Sequence, residues 1–109
     1  MSHAVSVVIP MFNEARHILR TLEAVRTAAQ AAGCAWEVIV VDNGSSDQGP
    51  ELARDWGAQV LDCPGLNIAA LRNRGAAVAR HDWLAFLDAD MQVPEQWLVT
   101  WRQVRQADR

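Results

Sequence analysis

The 109-residue sequence contains no lysine, and all ten of its basic residues are arginine. Thirteen acidic residues leave a formal charge of −3, and the arginines form no basic stripe, which argues against a nucleic-acid-binding surface. Cysteine is scarce. Cys34 and Cys63 stand far apart without metal-ligand spacing, which predicts two small thiols of ordinary intracellular chemistry rather than a metal site. No apolar run approaches the length of a membrane span. Met1-Ser2-His3-Ala4 leads straight into a strand-like segment without the apolar core of a signal peptide, so the expectation is a soluble, cytoplasmic protein. A membrane-bound parent or partner at the inner face stays compatible with it. A glycine-rich phosphate loop is missing too. Pro10-Met11-Phe12-Asn13-Glu14 occupies its place after the first apolar segment, which disfavours dinucleotide binding and ATP hydrolysis.

Half of the residues are apolar and five are tryptophan, enough for the core of one domain covering residues 1–109. Ala4 to Ile9 reads as a buried strand stopped by Pro10. Asn13 is a candidate N-cap for a helix from about Glu14 to Ala32, closed by Gly33, with Ile18, Leu22, Val25 and Ala29 on its apolar face. Glu37 to Val41 is a second strand, Asp42 to Asp47 a turn cluster, and Pro50 to Trp56 a short helix ended by Gly57. Ala58 to Leu61 makes a weaker third strand. Asn67 then caps a helix to about Arg80, with Ile68, Leu71, Gly75 and Val78 turned inward. Trp83 to Leu87 reads as a buried fourth strand. A last helix starts at Pro94, with Glu95 in its first turn and Trp97, Leu98, Trp101 and Val104 on one side.

Strands that are apolar throughout, alternating with helices, predict an α/β fold with a parallel sheet covered by helices on both faces. Right-handed crossovers favour the strand order 3-2-1-4. The chain then reverses direction between strands 1 and 4, and ligands of open α/β sheets bind beyond the strand ends at such a switch point. Three polar clusters converge there: Pro10 to Glu14, Asp42 to Asp47, and Asp88-Ala89-Asp90. Two carboxylates one residue apart at the end of a strand suit a hard divalent cation that also grips a diphosphate. An acidic pocket suits a phosphate ligand once a metal lies between the two. Acidic residues past a strand also serve as helix caps or solvated turns, so the motif alone does not decide the matter.

Four segments in order resemble the N-terminal half of the family 2 glycosyltransferases, which have the GT-A fold. They are Val5 to Glu14, Glu37 to Asp47, Leu71-Arg72-Asn73-Arg74-Gly75, and Trp83 to Asp90. The resemblance implies a Rossmann-like nucleotide-binding half that takes a UDP- or GDP-sugar for inverting transfer to a glycan, lipid or protein acceptor. It implies that Pro10, Asn13 and Glu14 border the base and ribose, and that Asp42 reads the base edge. By the same resemblance Arg72 lies near the nucleotide, Asp90 holds Mg²⁺ or Mn²⁺, and Asp88 serves ribose and metal. Asn43 departs from the family pattern where a second aspartate is common, and Leu71 where a small residue is usual; both leave donor choice open.

Plainer readings stand beside these roles. Asn13 fits a helix cap as well as a ligand contact, and Asp47 fits a cap for the short second helix. Arg74 reads as solvated. His17 and His81 occupy surface positions without a sequence partner and are not read as metal ligands. Trp97 and Trp101 read as core or interface. Family members place the acceptor site and the general base beyond position 109, and no base is evident here. The alternative is therefore a truncated, inactive nucleotide-binding or interaction module. A phosphoacceptor receiver domain is a third reading, disfavoured by the lack of lysine. A truncated sheet also predicts an exposed strand 4 edge, covered by a second copy, a partner or the missing half.

Overall fold

The computed structural model describes residues 4–107. Four parallel strands form one sheet: β1 (Ala4–Met11), β2 (Ala35–Asp42), β3 (Gln59–Asp62) and β4 (Trp83–Phe86), in the order β3-β2-β1-β4. Helices α1 (Ile18–Ala32), α2 (Gly49–Trp56), α3 (Ile68–Val78) and α4 (Trp97–Ala107) alternate with them. The predicted order is the observed one, and its cause is local. β-branched runs build the two central strands, β1 and β2, and right-handed crossovers put α1 and α2 on one face and α3 on the other. No helix among the described residues is long and apolar enough to cross a membrane.

The pleat divides the core. Val5, Val7, Ile9 and Met11 of β1 face α1, where Ile18, Leu22, Val25 and Ala29 meet them, joined by Leu98 of α4. Val8, Ile39 and Val41 point the opposite way, towards Leu71 of α3. Gly75 is buried at that second contact, where α3 sits flat on β1 and β2. Gly33 ends α1 in the left-handed conformation, φ 64°, and its N–H reaches the carbonyls of Ala29 and Gln30. Asn67 caps α3 through a 2.8 Å bond from the Ala70 N–H. Cys34 is half-buried and Cys63 buried, and both are free thiols; burial pushes the Cys34 thiol up.

Several expectations are corrected. α1 starts at Ile18, not Glu14, and Asn13 does not cap it: the N-cap residue is His17, whose side chain makes no capping bond. Residues 14–17 form a turn in which the Glu14 carbonyl accepts from the N–H groups of His17 and Ile18. α4 starts at Trp97 because the Pro94 carbonyl closes a turn on the Trp97 N–H. Of the four residues expected to face inward on α3, Leu71 and Gly75 are buried, whereas Ile68 and Val78 are exposed. β4 is not a buried strand. Trp83, Leu84 and Phe86 are each about two-fifths exposed, because no further strand among the described residues pairs with this edge. Trp83 still meets Trp101 edge to face, ring centroids 6.0 Å apart, and Trp97 and Trp101 pack on the core while Val104 is exposed.

A polar network ties the sheet together at the end opposite the predicted site. Glu37 on β2 accepts from Ser6 Oγ on β1 at 2.6 Å, from the Arg80 N–H at 2.5 Å and from Arg80 Nε at 3.3 Å. The Ser6 hydroxyl in turn accepts from the His81 N–H at 3.2 Å. Burial alone would raise the Glu37 carboxyl, but the hydrogen bonds from Ser6 and Arg80 and the guanidinium charge outweigh it and hold the carboxyl low.

Candidate functional site

Parallel strands deliver all their carboxyl ends to one edge, and β1 and β2 stop level, with Met11 paired to Asp42. β4 pairs Phe86 with Val8, and the Leu87 N–H extends the ladder to the Val8 carbonyl at 3.0 Å. Asp88 therefore leaves the sheet beside the Pro10 region. The three polar clusters expected at the switch point do lie on one edge.

The first two clusters are one built unit. Asn13 takes a positive φ of 54°, a conformation that asparagine tolerates better than most residues. Its Oδ1 accepts from the Ser46 N–H at 2.8 Å, the Asp47 N–H at 3.3 Å and the Ser46 hydroxyl at 3.3 Å. Its own N–H donates to Ser45 Oγ at 2.8 Å. Asp47 returns the link, accepting from the Ala15 N–H at 3.0 Å, and also satisfies the Gly49 N–H opening α2 at 2.9 Å. Asp47 thus serves α2 through one N–H, but from the residue before the cap, since the N-cap position expected of it is held by Gln48. Asn43 anchors the far side by accepting from the Leu66 N–H at 3.1 Å.

Asp42 is 2% exposed. Its Oδ2 accepts from the N–H groups of Gly44 and Ser45, and its Oδ1 from the Ser45 hydroxyl at 2.5 Å. This carboxylate is the keystone of its own loop, an Asx-type turn. Pro10 is buried in β1. Glu14 is half-buried, and its carboxylate faces His17 Nδ1 at 3.0 Å, so His17 does have a partner.

Asp88 and Asp90 are exposed while Ala89 between them is 3% exposed, part of the core. Alternation at the strand exit thus sends both carboxylates to solvent and plants the alanine. The Met91 N–H closes the turn on the Asp88 carbonyl at 3.1 Å. Thr21 of α1, fully buried, donates its hydroxyl to the Ala89 carbonyl at 2.9 Å. Sequence reasoning missed Thr21, yet a signal was there: a hydroxyl on the apolar stripe between Ile18 and Val25.

Arg72 is exposed in the second turn of α3, with its guanidinium 5.9 Å from the ring centre of Phe86 on β4. That puts a cation beside the strand that carries Asp88 and Asp90. Arg74 points elsewhere, 4.0 Å from Cys63 Sγ.

Among the described residues no three histidine, cysteine or acidic side chains gather as a ready-made metal cage. The donors at Asp88 and Asp90 are hard carboxylate oxygens. Two such ligands fit a Mg²⁺- or Mn²⁺-type ion that draws its remaining ligands from water and substrate phosphates.

Residues 6–100 match the family profile described as Glycosyl transferase family 2. A glycosyltransferase of Haloferax volcanii, AglE, is 38% identical over an alignment covering 86% of this chain and 33% of the relative. An undecaprenyl-phosphate 4-deoxy-4-formamido-L-arabinose transferase of Salmonella paratyphi B is 35% identical, covering 84% of this chain and 30% of its own length. Among solved structures, S. aureus TarS in complex with UDP superposes with a TM-score of 0.82 at 20% identity, over 96% of this chain and 32% of that one. Glucosyl-3-phosphoglycerate synthase of Mycobacterium tuberculosis, in complex with Mn²⁺, UDP and glucosyl-3-phosphoglycerate, superposes with a TM-score of 0.73 at 25% identity, over 88% of this chain and 37% of that one. The chain spans about a third of the length of the curated relatives it matches. With the profile covering most of its length and the GT-A architecture reproduced, the chain belongs to glycosyl transferase family 2.

Proposed function

We propose that this chain is the donor-binding part of a glycosyltransferase, taking a nucleoside-diphosphate sugar through a divalent cation for inverting transfer to an acceptor. The observation that carries the proposal is the exposed pair Asp88 and Asp90, held on either side of a buried alanine beside the locked loops of β1 and β2. Asp90, with Asp88, holds Mg²⁺ or Mn²⁺ against the diphosphate, and Asp88 also meets the ribose. A bound cation supplies Lewis-acid stabilisation of the negative charge building on the departing nucleoside diphosphate. Arg72 adds a guanidinium suited to phosphate oxygens. Pro10, Asn13 and Glu14 border the base and ribose. Asp42 sits at the base end, where its three accepted hydrogen bonds set the loop that receives the base. UDP is the favoured nucleoside diphosphate, since the two structural relatives described above carry it.

An inverting transfer needs a base to take the acceptor proton. In this reading the base and the acceptor site belong to the remaining two-thirds that the relatives possess. A relative named for undecaprenyl phosphate supports a lipid-phosphate acceptor and so a place beside a membrane. The same coverage favours a second reading, in which the 109 residues alone bind nucleotide and turn nothing over.

Calorimetric titration of UDP and GDP, with and without Mn²⁺, into the chain and its Asp90→Ala variant tests the donor site. Binding that Mn²⁺ strengthens severalfold, with that gain lost in the variant, is expected. Equal binding by both proteins refutes the assigned metal role. Release of sugar from a bound donor then separates the enzyme from the silent binder.

A further inference from the structure

We infer that Thr21 is a positioning residue for the metal motif: its buried hydroxyl fixes the peptide joining Ala89 to Asp90 and so sets how both carboxylates face a cation. The inference rests on the donor-site reading above.

The geometry of residues 87–91 carries the argument. Leu87 is tied to β1 through the Val8 carbonyl, and Met91 is tied back to Asp88. Between these ties the segment has left the ladder. The Ala89 carbonyl points into the core and would be an orphan acceptor there without a donor, a costly arrangement. Thr21 supplies that donor from across the domain, 68 residues away in sequence. Its hydroxyl could have turned back to its own helix, since a threonine in a helix commonly bonds the carbonyl one turn earlier. Instead it reaches the motif. A valine would fill the same volume on this stripe, among Ile18, Leu22 and Val25, without burying a hydroxyl.

The carbonyl that Thr21 holds belongs to the peptide plane whose nitrogen is that of Asp90. Fixing that plane restricts rotation about the bonds that aim Asp90, and, through the buried Ala89, those that aim Asp88. Partners that orient metal ligands in this indirect way are worth roughly 10- to 100-fold in metal affinity.

The test measures Mn²⁺ affinity in the presence of UDP, from the free-ion signal in electron paramagnetic resonance, for wild type, Thr21→Val, Thr21→Ser and Asp90→Ala. UDP affinity in chelator and the melting temperature are recorded for each. The expected result is a roughly tenfold or larger loss of Mn²⁺ affinity in Thr21→Val, with metal-free UDP binding unchanged and recovery in Thr21→Ser. If Thr21→Val melts lower but binds Mn²⁺ as wild type does, Thr21 is only a packing residue and the inference fails. If Thr21→Val does not fold, Thr21→Ala replaces it, and equal Mn²⁺ affinity in the alanine and serine variants is the overturning result. Wild type binding Mn²⁺ with UDP no better than Asp90→Ala overturns the donor-site reading and this inference together. Wild-type binding that only Asp90→Ala disturbs overturns this inference alone.

Discussion

Of the six glycines, Gly75 has the least room for a side chain. An ideal Cβ built on it would lie 2.3 Å from Val8 Cγ1, 3.2 Å from Val8 Cγ2 and 3.1 Å from Val41 Cγ2. Carbon atoms pack best at about 3.5–4.0 Å, so the shortest of these contacts is too close by more than ~1 Å. Val8 cannot yield easily. It is fully buried in β1, which is hydrogen-bonded on both sides, and its β-branched side chain has a stiff χ1. Accommodating an alanine therefore requires α3 to lift from the sheet. Overpacking of this kind costs about 1–3 kcal/mol, and a clash against a strand interior belongs at the upper end. Alanine regains about 1 kcal/mol over glycine in a helix interior. The balance is a net loss of ~2 kcal/mol for Gly75→Ala, or a fall in melting temperature of roughly 10 °C.

A double-mutant cycle isolates the cause. Urea denaturation followed by circular dichroism is run on the parent, Gly75→Ala, Val8→Ala and the double variant. With the Val8 methyls gone, only the 3.1 Å contact with Val41 Cγ2 remains, its cost of about 1 kcal/mol cancels the helix gain, and the coupling between the two sites is ~2 kcal/mol. A Gly75→Ala protein as stable as its parent, or one destabilised equally in both backgrounds, refutes the reasoning. The functional stake is Arg72, one turn before Gly75 on the same helix, whose approach to β4 depends on how closely α3 sits.

Further outcomes follow from the two polar networks. Glu37 has its folded pKa held below its ordinary value of 4.5, so the stability it contributes is present above that value and is lost as pH falls through the folded one. Glu37→Gln should accordingly flatten the loss of stability between about pH 5 and pH 3; an unchanged acid limb in urea midpoints would disprove the assignment. Asn13→Ala removes the acceptor shared by Ser46 and Asp47 and leaves an alanine at φ 54°, for a loss of about 1–2 kcal/mol. Amide exchange at Ser46 and Asp47 should accelerate in Asn13→Ala and also in Asn13→Gly, which relieves the backbone but not the lost bonds. Unaltered exchange in both variants would show that the two loops are not joined through Asn13.

These predictions separate what the sequence makes legible from what it hides. Strand order could be read because apolar strand segments alternate with helices and the crossovers have one hand. Helix ends at Gly33, Gly57 and Asn67 could be read because their caps are local. The misread start of α1 has another cause, a contact more than thirty residues away. Asn13 looks like a cap, but the amides of Ser46 and Asp47 claim its oxygen, which delays α1 to Ile18. What the sequence hides at Asp42 is local: at the end of a central strand its carboxylate turns in to its own loop and accepts from groups two and three residues on. β4 has the composition of a buried strand but lies at the sheet edge, and edge position follows from topology rather than composition. Thr21 differs because its anomaly was visible in the sequence. A hydroxyl on an apolar helical stripe must find an acceptor when buried, and here the acceptor is the one carbonyl framed by the carboxylates of Asp88 and Asp90. In a sheet whose ligand edge is built from loops, a misplaced polar residue on the packing helix points to the loop it supports.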